Sequence, residues 1–483
     1  MSRQTQRADD LLVSSNFIRA VRESGYLSIS TALAELVDNS IQAAATKVAI
    51  TIERSGQKSL PEIAVADNGI GMSRRELEAC LRFGGSSRFD ERHSFGRFGM
   101  GLPAASLSQA RRVEVTSWQR GRAEYRVALD VDAVASGSGA LLAARRVGPG
   151  QSDSGCRVHW QQCDRIEYRR LTWLGRALHR DLGRMYRRFL KAGIVLTING
   201  TEVEPVDPLL LGTKFEGATS RLAFEPLQYE LESSDGQTSP VTVRFAVLPV
   251  HQWHHLDNVT KRRLGIVGHG GVSILRAGRE IASGWHLMGG KRKENYDDWW
   301  RCEIEFEPAL DEHFGITINK QGIRPSATLR EALEPDLESI ARLLNARVRQ
   351  SFEEVKFQSA TEASCRIAAA ADGDLPILDT RGRGGALTYR IGSEPLPAES
   401  MFRSKLSHRT LDVTLNVDHP AFAALYQPLQ SMDDQPAADF RTALELLLLS
   451  FARSAVQMER SGLHLDDLLR AWSTTYGRML QKS

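Results

Sequence analysis

Long hydrophobic runs are missing from this chain of 483 residues. A membrane-spanning helix needs roughly 18 to 20 apolar residues in a row. The longest apolar stretch, around Leu444 to Leu449, is broken by Glu445 and followed by Arg453, so no membrane partner is expected. The opening residues, MSRQTQRADD, lack the apolar core of a signal peptide, and a cytoplasmic location is expected. Cysteine is scarce: Cys80, Cys156, Cys163, Cys302 and Cys365 are odd in number and scattered, which fits a reducing compartment and not a disulfide framework. An excess of one charge is also lacking. Sixty-two Lys and Arg stand against 59 Asp and Glu, a formal +3, so nucleic-acid binding would have to rest on local clusters. What is present, 42% hydrophobic and 25% charged residues, excludes collagen, coiled coil and wholesale disorder. At about 150 residues per domain the length suggests about three domains.

The pattern along the chain supports an α+β organisation. A helical stretch covers Ser30 to Ala45, and strand patterns follow at Val48 to Glu53 and Glu62 to Ala66. Ser73 with Glu76 forms a capping box and predicts a short helix. Residues 82–101 have the Gly- and Ser-rich composition of a loop running into a helix. Strands are predicted at Arg112 to Trp118, Glu124 to Val131 and Arg157 to Gln161. A long amphipathic helix is predicted over 168–192, with Leu171, Leu174, Leu178, Leu182, Met185 and Phe189 on one stripe and a basic opposite face. The expected domains are 1–212, 213–356 and 388–483, with a loosely ordered linker at 357–387. Pro335 is expected to split the helices that close the second domain. The third is expected to be mixed but mainly helical, with a strand at Leu411 to Val417 and helices near 437–459 and 464–480.

Three short motifs carry chemistry. Glu35 and Asn39, four apart in ELVDNS, project from one face of the first helix. A carboxylate there can deprotonate water, and a neutral amide oxygen suits Mg²⁺. Asp67-Asn68-Gly69-Ile70-Gly71-Met72 ends a strand. The Asp67 carboxylate can accept a hydrogen bond from an adenine amino group, and the glycines permit close backbone approach. Gly96-Arg97-Phe98-Gly99-Met100-Gly101, followed by Leu102, opens a helix whose backbone N–H groups suit a polyphosphate. No GKS or GKT follows, so this is not a Walker A loop.

ELVDNS, DNGIGM and GRFGMGL, in this order, resemble the three nucleotide-binding boxes of the GHKL ATPases (gyrase B, heat-shock chaperones, histidine kinases, MutL) over about residues 15–205. The resemblance implies a Bergerat fold: a mixed sheet with helices on one face and ATP between the helices and a lid. It implies Glu35 as general base, Asn39 as Mg²⁺ ligand and Asp67 as adenine reader. Gly69, Gly71 and Met72 would line the base pocket, Gly96, Gly99, Met100, Gly101 and Leu102 the lid and phosphate loop. Thr116, in VEVTSW, matches a hydroxyl that the family often places beside adenine. Further on, GVSILRAGREI and GITINKQGIRPS resemble the transducer domain of MORC and MutL relatives, and Lys320 then matches the catalytic lysine that reaches back to the γ-phosphate. With no Cys-rich reader module, the chain looks more like a bacterial MORC-like member, a group associated with restriction and phage defence.

That resemblance implies an ATP-driven homodimer, a switch or clamp acting on DNA or a DNA-processing partner. The alternative is a chaperone-like ATPase handling protein clients without DNA. Lys261-Arg262-Arg263, Lys291-Arg292-Lys293 and the basic face of 168–192 are the candidates for tracking phosphates. HQWHH at 251–255 and the Cys156, His159, Cys163 group do not make a complete metal ligand set.

Overall fold

The computed structural model describes residues 19–23, 25–26, 28–54, 59–84, 100–135, 143–168, 170–316, 322–372, 375, 387–397, 399–431, 435–459, 466 and 469. The chain divides into two compact units, Met1–Asn345 and Ala346–Ser483. Among the described residues no helix is long and apolar enough to cross a membrane.

The first unit is mixed α/β and holds two sheets. The strands of the first are β1 (Lys47–Glu53), β2 (Glu62–Asp67), β3 (Arg112–Trp118), β4 (Ala123–Asp130), β5 (Arg145–Gly150), β6 (Gly155–Gln161), β7 (Val195–Ile198) and β8 (Thr201–Glu202). They lie in the order β5-β4-β3-β6-β2-β1-β7-β8, antiparallel apart from the parallel β1–β7 pair. On β1 the alternation is plain: Val48, Ile50 and Ile52 are buried, while Lys47, Ala49 and Glu53 are exposed. The buried face carries α1 (Ile29–Gln42), α3 (Gly101–Gln109) and α4 (Leu171–Met185); the capped helix α2 is Arg74–Cys80. Leu33, Leu36 and Val37 of α1 join Leu107, Leu174, Leu178 and Leu182 in one core with the strands. Each such burial is worth about 2 kcal/mol.

Local signals act as the sequence predicts at several points. Ser28 caps α1 by accepting from the Thr31 N–H at 3.2 Å. The Ser73–Glu76 capping box forms at the start of α2. The predicted 168–192 helix is interrupted, however: after α4, α5 (Arg187–Lys191) begins beyond Tyr186. Its apolar stripe does face the core.

The second sheet contains β9 (Arg221–Leu222), β10 (Leu227–Glu232), β11 (Thr238–Val247), β12 (Gly271–Arg276), β13 (Arg279–Gly284) and β14 (Trp300–Phe306). Its order is β10-β11-β14-β12-β13, with β9 paired to β11. Helix α6 (Ala327–Ala371) lays Leu329, Leu333, Leu337, Ala341 and Leu344 on it. Pro335 does not split this helix, contrary to expectation. It sits on the exposed face, where water can satisfy the carbonyl that loses its N–H partner.

The expected linker at 357–387 is corrected over its first half, and 373–386, apart from 375, lie outside the described residues. Residues up to Ala371 continue α6. In the second unit Phe357, Cys365, Ala368 and Ala369 pack in a core with β15 (Thr388–Glu394), β16 (Phe402–Ser407) and β17 (Thr410–Asn416). Small residues there reflect alanine's high helix propensity and not a loop. These strands lie in the order β15-β17-β16. Helix α7 (Gln435–Glu459) covers the predicted 437–459 segment. Its Leu448 and Leu449 are buried, while Leu447 is 64% exposed. Apart from 466 and 469, the predicted helix at 464–480 lies outside the described residues.

Candidate functional site

Asp67 is the last residue of β2 and stands beside α1. Its Oδ2 accepts from the Ser40 hydroxyl of α1 at 2.9 Å, and its Oδ1 accepts from the Gly69 N–H at 2.9 Å. Burial pushes the Asp67 carboxyl above its usual range, with the Gly69 and Ser40 hydrogen bonds pulling the other way. Beyond it the chain turns at Gly71, whose φ of +68° is left-handed; a Cβ there would lie 2.1 Å from the Trp118 carbonyl oxygen. Ile70 is 57% exposed and Met72 is half-buried. A half-buried carboxylate is therefore flanked by accessible apolar side chains, an acceptor in an apolar setting that suits a flat base bearing an amino group.

Thr116 is not brought to that face. Asp67 stands opposite Cys156, and Cys156 opposite Ser117, so strand alternation puts Ser117 on the Asp67 side and Thr116 on the other. The Thr116 hydroxyl accepts from Arg126 Nε at 3.1 Å. Ser117 accepts from the Met72 N–H at 2.8 Å and donates to the Gly155 carbonyl at 2.9 Å. Sequence reasoning missed both Ser40 and Ser117. The signal for Ser117 was the pairing register, which a single strand does not reveal.

Glu35 lies in the middle of α1 and is 4% exposed. The Tyr26 hydroxyl donates to its Oε2 at 3.3 Å. Burial, then the Glu35 charge, raises the Tyr26 pKa far above the ordinary phenol, so Tyr26 stays a donor. Gly101, the first residue of α3, faces the other carboxylate oxygen. A Cβ on Gly101 would lie 2.0 Å from Glu35 Oε1. The carboxylate thus sits against a helix N-terminus, whose partial positive charge favours an anion. Asn39 lies one turn beyond Glu35 and is half-buried. Met100 precedes α3, its carbonyl accepting from the Ala104 N–H at 3.0 Å, and Leu102 packs against the core. Gly96, Gly99 and Lys320 lie outside the described residues.

Behind α1 the second sheet reaches in. Asp38, 2% exposed, has its Oδ1 2.7 Å from the Tyr186 hydroxyl and 3.0 Å from Arg279 Nε at the start of β13. The same hydroxyl lies 2.6 Å from the Ala34 carbonyl, so its single proton serves one acceptor at a time.

Three arginines of the basic face of 168–192 are engaged inside the first unit, while Arg170, Arg176, Arg180 and Lys191 are exposed. Arg184 Nε meets Glu280 at 2.5 Å, Arg187 bridges Glu280 at 2.6 Å and Glu303 at 2.7 Å, and Arg188 meets Glu303 at 2.8 Å. Although burial opposes it, Arg187, Arg188 and Arg244 hold the Glu303 carboxyl below the usual range. Lys291, another candidate for phosphate contact, is buried against Asp297 at 2.8 Å.

The family described as histidine kinase-, DNA gyrase B-, and HSP90-like ATPase matches residues 27–150. The DNA mismatch repair protein MutL of Rickettsia canadensis (strain McKiel) is 39% identical over 92 residues, which are 18% of this chain and 14% of that protein. MutL of Rickettsia akari (strain Hartford) is 38% identical over 92 residues, again 18% of this chain and 14% of the relative. The match therefore spans about one seventh of these relatives' length. Residues 27–150, which hold Glu35, Asp67 and the start of α3, are thus similar to the histidine kinase-, DNA gyrase B-, and HSP90-like ATPase family, and a shorter stretch of the chain is similar to MutL.

Proposed function

We propose that the chain is a Mg²⁺-dependent, ATP-hydrolysing switch or clamp, MORC- or MutL-like, that closes by N-terminal dimerisation and acts on DNA or a DNA-processing partner in the cytoplasm. The observation that carries this reading is the two-ended role of α1: Ser40 ties it to Asp67 while Glu35 meets Gly101 at the start of α3. One helix thereby sets both the base-reading carboxylate and the hydrolytic one. Asp67 accepts from the adenine amino group, with Ile70 and Met72 as apolar neighbours. Glu35 takes the proton of the attacking water. Among the described residues no cluster of three or more His, Cys, Asp or Glu could hold a metal. The Asn39 amide fits a Mg²⁺ that arrives with the nucleotide, because Mg²⁺ is commonly held by few protein groups plus substrate phosphates. When bound, that ion would neutralise phosphate charge.

Gly101→Ala tests the junction of α3 with Glu35. The new Cβ cannot occupy a point 2.0 Å from Oε1, so the carboxylate or the helix must shift. Turnover is expected to fall by about 10²-fold, the cost of a misplacement near 1 Å. Steady-state ATPase assays and calorimetric nucleotide titration check it; parent turnover would show that Glu35 tolerates displacement.

Lys320 tests the switch itself. Lys320→Ala should bind nucleotide, hydrolyse it slowly and fail to close, since a ligand shifts an equilibrium only through differential affinity for the two states. Light scattering and N-terminal cross-linking on parent and variant, with and without a non-hydrolysable ATP analogue, read this out. Equal cross-linking in all four samples would remove the switch mechanism.

One observation favours the chaperone-like alternative. Arg184, Arg187, Arg188 and Lys291 are committed to internal carboxylates, which reduces the basic surface available for phosphates. Turnover measured with and without duplex DNA separates the readings: stimulation favours action on DNA, and indifference favours protein clients.

A further inference from the structure

Asp38 and Arg279 form an ion pair with almost no access to water. The side chains are 2% and 5% exposed, and Asp38 Oδ1 lies 3.0 Å from Arg279 Nε. The two residues are far apart in sequence, one on α1 and the other opening β13 of the second sheet. The guanidinium carbon also lies 5.9 Å from the centre of the Tyr186 ring. Arg279 Nε and Nη1 have no well-aligned hydrogen-bond acceptor among the described residues. The Asp38 charge and a hydrogen bond to Tyr186 hold the guanidinium. Burial opposes that charge, but Asp38, then Tyr186 and Glu35, raise the Arg279 pKa above its ordinary value. Glu35 thus belongs to the same electrostatic cluster.

The neighbouring residue adds a second anchor. Glu280 binds Arg184 and Arg187 and accepts from the Ser273 hydroxyl at 2.5 Å. The β12–β13 edge is consequently fixed to α4 and α5 by Glu280 and to α1 by Arg279. On α1, Asp38 is three positions beyond Glu35, and the Tyr186 hydroxyl contacts both Asp38 and the carbonyl of Ala34, the residue immediately before Glu35. This ties the turn of α1 that carries Glu35 to a cation from the second sheet.

We propose that Arg279 is a positioning residue: through Asp38 and Tyr186 it sets the turn of α1 bearing the Glu35 base, so hydrolysis requires the second sheet even though nucleotide recognition does not. This rests on Glu35 being the base. Recognition is separable because Asp67, Gly69 and Ser117 are held by contacts made within the first sheet and α1.

The full-length chain is the material for the test. Arg279→Gln should lower kcat by about 10²-fold, as for a base misplaced by near 1 Å, while ATP affinity by calorimetry stays within about threefold of the parent, below a single tenfold step of 1.4 kcal/mol. Arg279→Lys, which keeps the charge, should recover much of the loss. Removing one partner of a buried pair is destabilising, so Arg279→Gln/Asp38→Asn serves as a second variant in which two neutral groups can pair. It should fold and still hydrolyse slowly. A parent-like kcat in the folded double variant would overturn the proposal. So would a loss of ATP affinity matching the loss of kcat, which is what general damage to the domain produces. Glu35→Gln run in parallel separates the two levels. If Glu35→Gln is inactive and the folded Arg279 variants turn over like the parent, Arg279 alone loses its role. If Glu35→Gln turns over normally, the base assignment falls and this proposal falls with it.

Discussion

Asp67→Asn is expected to weaken ATP binding by about a hundredfold or more, yet to leave the nucleotide-free protein as stable as the parent or slightly more so. The first effect follows from hydrogen-bond polarity. A carboxylate offers only acceptors to an amino group, whereas an amide can present a donor and leave the amino group unpaired. The second follows from the direction of the Asp67 pKa. Burial raises it, against the Gly69 and Ser40 hydrogen bonds. A carboxyl whose folded-state pKa is raised is penalised when ionised, so its contribution to stability declines as pH rises from the unfolded value through the folded one. At pH 7 the parent carries that penalty and the Asn variant does not. The melting-temperature gap should close as pH falls below the ordinary carboxylate range, where both side chains are neutral. Calorimetric titration with ATP and thermal melts without nucleotide, at pH 7 and at acid pH, give the two readouts. Parent affinity in the variant sinks the assignment of Asp67 as adenine reader. A strongly lowered apo melt would instead place Asp67 among the groups that hold the fold.

How much of this was legible depends on the range of each interaction. The α1 helix, β1, β2 and the Ser73–Glu76 cap are local and were readable, because periodicity and capping act over a few residues. Glu35 and Asn39 share a face of one helix, and that too follows from spacing alone. Ser40 and Ser117 were not readable. Each meets the Asp67 neighbourhood only through packing or pairing with a distant segment, and an error of one residue on β3 exchanged Ser117 for Thr116. The engagement of Arg184, Arg187 and Arg188 on the basic helix face was hidden for a similar reason. Nine Lys and Arg against two acidic residues between Arg165 and Lys191 look like a solvated patch until Glu280, Glu303 and Glu305 arrive from the second sheet. Pro335 shows the reverse error, in which a strong local signal yields to helix packing on one face, whereas the alanines before Asp372 follow their own helix propensity. Asp38–Arg279 is the longest-range of these contacts, and neither sequence stretch alone announces it.

Glu35→Ala should still bind ATP with Mg²⁺ but hydrolyse it at least about a hundredfold more slowly, the usual scale for loss of a general base. Binding survives because the Asp67–Ser40–Gly69 network and the Asn39 amide do not pass through the Glu35 carboxylate. Neither neighbouring group is placed to take over. Burial keeps the Tyr26 phenol protonated, and removing Glu35 leaves that burial in place. Asp38 is held by Tyr186 and Arg279 and is only 2% exposed, so its oxygens already have partners. The variant should therefore accumulate as an ATP-bound, N-terminally closed species, and cross-linking with ATP itself should match that of the parent with a non-hydrolysable analogue. Turnover assays, calorimetry and cross-linking on the same preparation check the three parts. Slow hydrolysis with normal binding and persistent closure makes Glu35 the base and hydrolysis the step that reopens the clamp. Unchanged turnover transfers the role to another residue, with Asp38 the first to examine despite its ion pair.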